Sequence, residues 1–129
     1  SIDAVSKTET LHLEPTVRPN DYEPRTRAGL YVFRFFDVRN KDVDQIAQLS
    51  HTAWETFETS NQYQAIPQAL FCEQDRTQEF GKMLLCTWYD GLNSWQLSRT
   101  PAPEATANFR ARGELTLSAK PYATRLITE

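Results

Sequence analysis

Three side chains in this sequence have the chemistry expected of a small-molecule site: Arg34, His51 and Tyr89. An arginine guanidinium can bind carboxylate or enolate oxygens through two hydrogen bonds. A histidine titrates near neutral pH and can act as a general base, and a buried tyrosine hydroxyl needs a hydrogen-bond partner. Each residue also has a structural interpretation: a salt bridge for Arg34, packing on a helix flank for His51, and a structural hydrogen bond for Tyr89.

Better-known catalytic and metal-binding patterns are missing from the sequence. It contains no glycine-rich phosphate loop, no HExxH and no clustered metal ligands. Cys72 and Cys86 lack the CxxC spacing of a zinc site. We therefore expect neither a metal nor a cofactor.

Composition and charge narrow the class of protein further. The chain has 129 residues, 40% of them hydrophobic and 24% charged, as in a single globular domain. A net charge of −3 without a basic stripe disfavours nucleic acid as a partner. The apolar runs are far shorter than the roughly 20 residues that span a bilayer, and the first ten residues show no secretory signal. We expect a cytoplasmic protein.

The sequence patterns predict an extended arm followed by the order β-α-β-β-α-β. Residues 1–28 are polar and contain three prolines, with an edge strand in TLHLEPTV as one option, and residues 29–129 form the domain. The predicted strands are GLYVFRFFDVR, AIPQALFCEQD, KMLLCTWYD and KPYATRLIT. The middle two should form an antiparallel hairpin with Cys72 and Cys86 opposed on one face, either as free thiols or as a strained disulfide.

Two helical regions separate these strands. The buried stripe of the first helix is predicted to comprise Val43, Ile46, Ala47, Ser50, Ala53, Trp54 and Phe57. Asp42 should cap that helix, with Gln45 completing a capping box. The second region should begin at SWQLSR, capped by Asn93 or Ser94, and restart near Pro101 or Pro103. Gly113 should end it or bend it.

This element order is the split βαβ arrangement of a ferredoxin-like α+β fold with a four-stranded antiparallel sheet. Right-handed crossovers place both helices on one face of the sheet. The other face would then expose more apolar surface than monomers tolerate. We therefore expect a homodimer in which a second copy covers that face.

Strand alternation assigns side chains to the two faces. If Phe33 and Phe35 meet the helices, Arg34 points into the space between the two sheets of the dimer. Trp88 is expected beneath the helices and Tyr89 on the side of Arg34. The arginines of the second helical region are expected on a solvated helix face: Arg99, Arg110 and Arg112.

Two segments carry a resemblance to a known family. YVFRFFDV, followed by a helix with a tryptophan, and TWYDGLNSW after the hairpin resemble the NIPSNAP family of the dimeric α/β-barrel superfamily, over roughly residues 29–127. The resemblance implies two protomers packed sheet to sheet, with any active site between sheet and helices or inside the barrel. Superfamily members include cofactor-free monooxygenases, lactone isomerases and haem-degrading oxygenases. Residues 93–116 lack the histidine that ligates haem iron in the last group.

Two functions remain open from the sequence. In the first, the barrel protein binds an apolar oxygenated molecule such as a quinol or polyketide, and any catalysis is cofactor-independent oxygenation or isomerisation. His51 and Tyr89 would be catalytic, and the ligand-binding residues would be Arg34, Phe36, Trp54 and Trp95. The alternative is a non-catalytic dimeric interaction module with a filled interior. A cavity of at least roughly 300 Å³ bordered by Arg34 or His51 favours the first.

Overall fold

The computed structural model describes residues 7–100 and 103–127 of the chain. Its strands are β1 (Leu13–Pro15), β2 (Leu30–Arg39), β3 (Ala65–Glu73), β4 (Phe80–Tyr89) and β5 (Thr116–Arg125). Its α-helices are α1 (Val43–Phe57), α2 (Leu92–Leu97) and α3 (Pro103–Leu115), and a 3₁₀ turn at Asn40–Asp42 precedes α1. None of the helices in these ranges is both long and apolar enough to cross a membrane.

The sheet confirms the predicted fold class. Its strand order is β1-β3-β4-β2-β5, and all neighbouring strands are antiparallel. Without β1, this is the strand order of the ferredoxin-like split βαβ arrangement. β1 comes from the N-terminal arm and pairs with the outer side of β3, so the sheet has five strands instead of the four predicted.

α1 covers the sheet with the stripe that the sequence predicts. All seven predicted positions are buried. They pack on sheet residues that include Phe36, Leu70 and Met83. Because each of these sheet side chains is at most 3% exposed, this layer is the main core of the domain.

The predicted helix caps differ from those observed. The Asp42 side chain makes no capping hydrogen bond, because the 3₁₀ turn leads directly into α1; the capping box with Gln45 is therefore wrong. α2 begins at Leu92, so Ser94 lies inside it, and the Ser94 hydroxyl instead accepts a hydrogen bond from the Gln64 backbone N–H at 3.0 Å.

α3 begins at Pro103, as predicted for one of two prolines; Pro101 lies outside the described residues. The helix continues through Gly113 to Leu115. A glycine is tolerated within a helix at a modest cost in stability, so Gly113 does not end this one.

Two side chains lie on the face of the sheet opposite to the one predicted. Arg34 faces the helices together with Val32 and Phe36, and Trp88 lies on the open face with Tyr31. Those two predictions are wrong, because β2 is apolar on both faces and its alternation does not say which face meets the helices. Tyr89 shares the face of Arg34, as predicted.

The cysteines also lie on opposite faces. Cys72 pairs with Met83 and belongs to the core beneath the helices, whereas Cys86 pairs with Ala69 and lies on the open face. The partner of Cys72 is therefore three positions from Cys86. Since an odd shift of register reverses the face, the opposed pair and the cross-strand disulfide are wrong, and both thiols are free.

After β1, the arm continues onto the open face of the sheet. The Arg27 guanidinium lies 3.8 Å from the centre of the Trp88 ring, and the Trp88 Nε1–H donates to the Ala28 carbonyl at 3.0 Å. The Tyr31 hydroxyl donates to the Arg27 carbonyl at 2.8 Å. The arm thus buries Trp88 and Tyr31, which explains why both are 7% exposed or less although no helix covers them.

Candidate functional site

A cavity of about 490 Å³ lies between the sheet and the helix layer. α1 and α3 form its sides, and α2 and the segment that follows it contribute further wall residues. Side chains of β2 and β4 form its floor through Arg34, Leu85, Thr87 and Tyr89. This floor carries a charged residue and two hydroxyls, whereas the core cluster beside it consists of apolar side chains.

Aromatic side chains form much of the wall. Trp54 of α1 is 1% exposed, and its ring also contacts the Arg18 guanidinium of the arm, 4.8 Å from the ring centre. Phe57 of α1 meets Phe109 of α3 edge to face, with ring centres 5.4 Å apart. Trp95 of α2 completes the set. Such walls suit a planar apolar ligand, which can stack on their rings.

Tyr89 is one of the buried hydroxyl-bearing residues of the cavity lining. Burial raises the pKa of Tyr89 above its usual range, and the opposing effects of the Ser98 hydroxyl and the Arg34 charge do not cancel that rise. The phenol is therefore protonated at neutral pH. It can donate a hydrogen bond to a ligand oxygen but cannot serve as a base there.

Arg112 of α3 is a charged residue buried in the lining of the cavity. It is only 8% exposed, donates to the Ser50 hydroxyl at 3.1 Å, and lies 5.3 Å from the ring centre of Phe36 and 4.7 Å from that of Phe109. Burial, followed by the charge of Arg34, lowers the pKa of Arg112 to about 10. The guanidinium therefore remains charged at neutral pH.

The prediction of a solvated face is wrong for Arg112, whereas Arg99 and Arg110 are exposed as expected. The signal for Arg112 was present in the sequence. Ala105, Phe109 and Arg112 follow the i, i+4, i+7 spacing of one helix face, and Ala105 is fully buried. A charged residue at the apolar position of such a stripe is predicted equally by a solvated face and by a buried polar contact, and the structure shows the second.

The structure brings four of the six predicted site residues together. Arg34, Trp54, Tyr89 and Trp95 all line the cavity. Phe36 lies one layer behind, 3% exposed, with its ring against Arg112. His51 is exposed on α1 and does not line the cavity, so it is not placed to act as a base for a ligand bound there. Thr87, Ser98 and Arg112 line the cavity and were not among the predicted site residues.

A second cavity, of about 470 Å³, lies on the open face between the sheet and the arm. Its lining includes Tyr31, Phe33, Phe71 and Cys86 of the sheet and Tyr22 of the arm. Burial raises the pKa of Cys86 to about 11, so this thiol is neutral at physiological pH. No group of three or more potential metal ligands occurs in the parts of the chain that the structure describes.

Comparison with known proteins finds a likeness of structure but none of sequence. No protein-family model matches the sequence, and no curated protein does. The crystal structure of a candidate antibiotic biosynthesis monooxygenase from Caulobacter crescentus CB15 superposes with a TM-score of 0.54 at 10% identity, covering 78% of this chain and 92% of the other. A second such protein, from Deinococcus radiodurans, gives 0.53 at 14% identity, covering 78% and 94%. At these identities the likeness concerns the fold, and this chain therefore has the same ferredoxin-like α+β fold as these two monooxygenase-type structures.

Proposed function

We propose that this protein is a cytoplasmic homodimer of the NIPSNAP type that oxidises a small, apolar, oxygenated molecule without a cofactor. The observation that carries the proposal is the cavity of about 490 Å³ bordered by Arg34, because small-molecule sites begin at roughly 300 Å³. Two structures with this fold are described as candidate antibiotic biosynthesis monooxygenases, which favours oxygenation over isomerisation. The alternative, a non-catalytic dimeric interaction module with a filled barrel, concerns the space on the other face of the sheet from this cavity.

The proposed reaction is the conversion of an anthrone-type phenolic ketone to a quinone. Loss of a proton from the methylene carbon gives an enolate, and that carbon then bonds to O₂. The first proton passes to solvent, since none of the described side chains in the lining is an aspartate, glutamate or histidine. The peroxide anion takes a proton back from solvent and becomes a hydroperoxide. Its O–O bond then breaks as the second hydrogen leaves the same carbon as a proton, and the hydroxide released takes up that proton, which yields one quinone and one water.

Arg34 and Tyr89 supply the catalytic contribution of the protein in this proposal. The developing negative charge on the substrate oxygen is stabilised by the Arg34 guanidinium and by a hydrogen bond from the Tyr89 hydroxyl. Both groups lie on the sheet, so they are held rigidly before the substrate arrives. The aromatic wall of Trp54 and Trp95 orients the ring system and excludes water.

The dimer is supported by the open face of the sheet. Phe33, Ile66 and Phe71 are only partly buried there, and Tyr122 on β5 is 46% exposed. These side chains lie beside the arm that covers Tyr31 and Trp88, and they form an apolar surface of the kind that a second copy would cover. The resemblance of residues 29–127 to the NIPSNAP family supports the same arrangement.

The test is oxygen consumption and quinone formation with anthrone as the probe, in the presence of a metal chelator and without added flavin. We expect oxidation above the spontaneous rate, and a loss of about tenfold to a hundredfold in Tyr89→Phe. Tyr22→Phe is the matched control, because Tyr22 is 94% exposed. A rate equal to the spontaneous rate across quinol, anthrone and lactone probes would contradict the proposal, and turnover of a lactone without oxygen uptake would reassign the reaction to isomerisation.

A further inference from the structure

We propose that the cavity between the sheet and the helices selects an aromatic oxyanion, a carboxylate or a phenolate, which Arg34 and Arg112 bind together. The inference concerns the same cavity as the proposed function and rests on it. It adds the charge of the ligand, and it assigns to Arg112 a binding role.

The first support is the charge of the lining. Among the side chains that the structure describes, four arginines border the cavity, Arg34, Arg99, Arg110 and Arg112, and no aspartate or glutamate does. The chain as a whole carries a net charge of −3. The positive charge around this cavity is therefore a local feature that runs against the overall balance. Because the cavity walls are apolar, these charges attract anions more strongly than they would on an open surface.

The second support is the lack of counterions at the two inner arginines. Within residues 7–100 and 103–127, Arg34 makes no side-chain hydrogen bond or ion pair, and Arg112 has only the neutral Ser50 hydroxyl as hydrogen-bond partner. A guanidinium offers five N–H donors, so most of those on Arg112 remain free. A buried charge without a partner is unfavourable, and a bound oxyanion would satisfy it.

Arg18 provides a comparison within the same structure. Its guanidinium lies over the Trp54 ring, as part of the arm, and binds both carboxylate oxygens of Glu58 at 2.7 and 3.0 Å. A third hydrogen bond reaches the Pro67 carbonyl at 2.8 Å. An arginine beside the cavity is thus fully partnered, whereas the two arginines that face into the cavity have no carboxylate partner in the described part of the chain.

The third support is the geometry of the surrounding groups. Arg112 lies against the rings of Phe36 and Phe109. Tyr89, which burial keeps protonated, is a neutral hydrogen-bond donor in the same lining. An aromatic lining that holds two cations and a hydroxyl donor suits a ring with an attached oxyanion.

The test compares three naphthalene probes that differ in one substituent: 2-naphthoate, 2-naphthol and 2-naphthalenemethanol. Isothermal titration calorimetry on the full chain at pH 7 should show 2-naphthoate binding at least about tenfold more tightly than the neutral alcohol. Binding should also shift the ionisation of 2-naphthol toward the naphtholate, by about one pH unit or more in absorbance titrations. The calorimetry tests recognition of a carboxylate, and the absorbance titration tests recognition of a phenolate.

Variants assign the preference to the two arginines. Arg112→Met keeps the length of the side chain and should reduce the tenfold preference to about twofold or less. Arg34→Met, at a less buried position, should have the same effect and serves as the test if Arg112→Met does not fold. Arg39→Met is the matched control, because Arg39 is on the same strand as Arg34 and does not line the cavity. It should leave the preference unchanged.

The outcomes separate this inference from the proposed function. If the neutral alcohol binds as tightly as 2-naphthoate, or if both arginine variants keep the preference, the oxyanion inference is wrong while a small-molecule site still stands. If none of the probes binds at millimolar concentration, the inference and the proposed site both fail. Tight binding of 2-naphthoate that depends on Arg34 and Arg112 supports both.

Discussion

The guanidinium of Arg112 on α3 donates a hydrogen bond to the hydroxyl of Ser50 on α1 over 3.1 Å, across 62 positions of the sequence. The same hydroxyl donates to the Ile46 carbonyl at 2.9 Å, one turn earlier in α1. This pair joins the two long helices directly behind the cavity.

Ser50→Ala should lower the free energy of unfolding by about 1–3 kcal/mol, since it removes the one hydrogen-bond acceptor that the described residues offer to the buried Arg112 guanidinium. Urea denaturation of wild type and variant would measure the difference. Thr52→Ala on the exposed side of α1 is the control and should change the free energy by less than about 0.5 kcal/mol. If Ser50→Ala and the wild type were equally stable, the hydrogen bond from Arg112 to Ser50 would not contribute to the free energy of unfolding.

Gly29→Ala should destabilise the fold by about 1–3 kcal/mol. Gly29 has a φ of 146°, and a Cβ there would lie 2.4 Å from Trp88 Nε1 and 2.6 Å from the Tyr89 carbonyl oxygen. Gly113→Ala is the contrasting variant. It lies inside α3 with open space around it, so alanine should stabilise by about 0.5–1 kcal/mol.

Thermal or urea unfolding of both glycine variants would measure these changes. Opposite signs are expected for the two substitutions. A stabilising Gly29→Ala would mean that the turn between the arm and β2 does not need glycine.

Both thiols should react slowly with DTNB at pH 8 in the native protein. Burial raises the pKa of Cys72 above its usual range and that of Cys86 to about 11, so the reactive thiolate of Cys86 is about a hundredfold rarer than for an ordinary thiol. In guanidinium chloride, without a reductant, both should react fully. Cys72→Ser would isolate the rate of Cys86.

The native rate should rise with pH as the solution approaches the raised pKa, because deprotonation supplies the nucleophile. Finding no reactive thiol in the unfolded, unreduced protein would instead indicate a disulfide. That result would contradict the placement of the two cysteines on opposite faces of the sheet.

Phe33→Glu should weaken the proposed dimer by at least about tenfold, because it places a charge in the centre of the open apolar face. Sedimentation velocity over a range of concentrations would follow the association. Leu92→Glu is the control: Leu92 is 62% exposed at the start of α2, away from the open face. The dissociation constant of the dimer should lie well below ~100 μM. A wild-type protein that stays monomeric at that concentration would contradict the proposed dimer.

Several features of the fold were predictable from local patterns. The order of strands and helices and the buried stripe of α1 follow from the spacing of apolar residues, and the hairpin follows from two apolar runs separated by a short polar loop. Such features depend on residues near each other in the chain, so the sequence is sufficient to predict them. The shared face of Tyr89 and Arg34 depends in addition on the register between β2 and β4.

The sequence by itself thus determined the element order, the fold class and four of the side chains around the cavity, Arg34, Trp54, Tyr89 and Trp95. Only the tertiary structure decided that Arg34 faces the helices, that Cys72 and Cys86 lie apart, and that Arg112 is buried beside Ser50. The reason is that a strand apolar on both faces carries no signal for its orientation, and that a register differing by an odd number reverses every side chain. The burial of Arg112, in turn, depends on how α3 packs against α1, which is a relationship between distant parts of the chain.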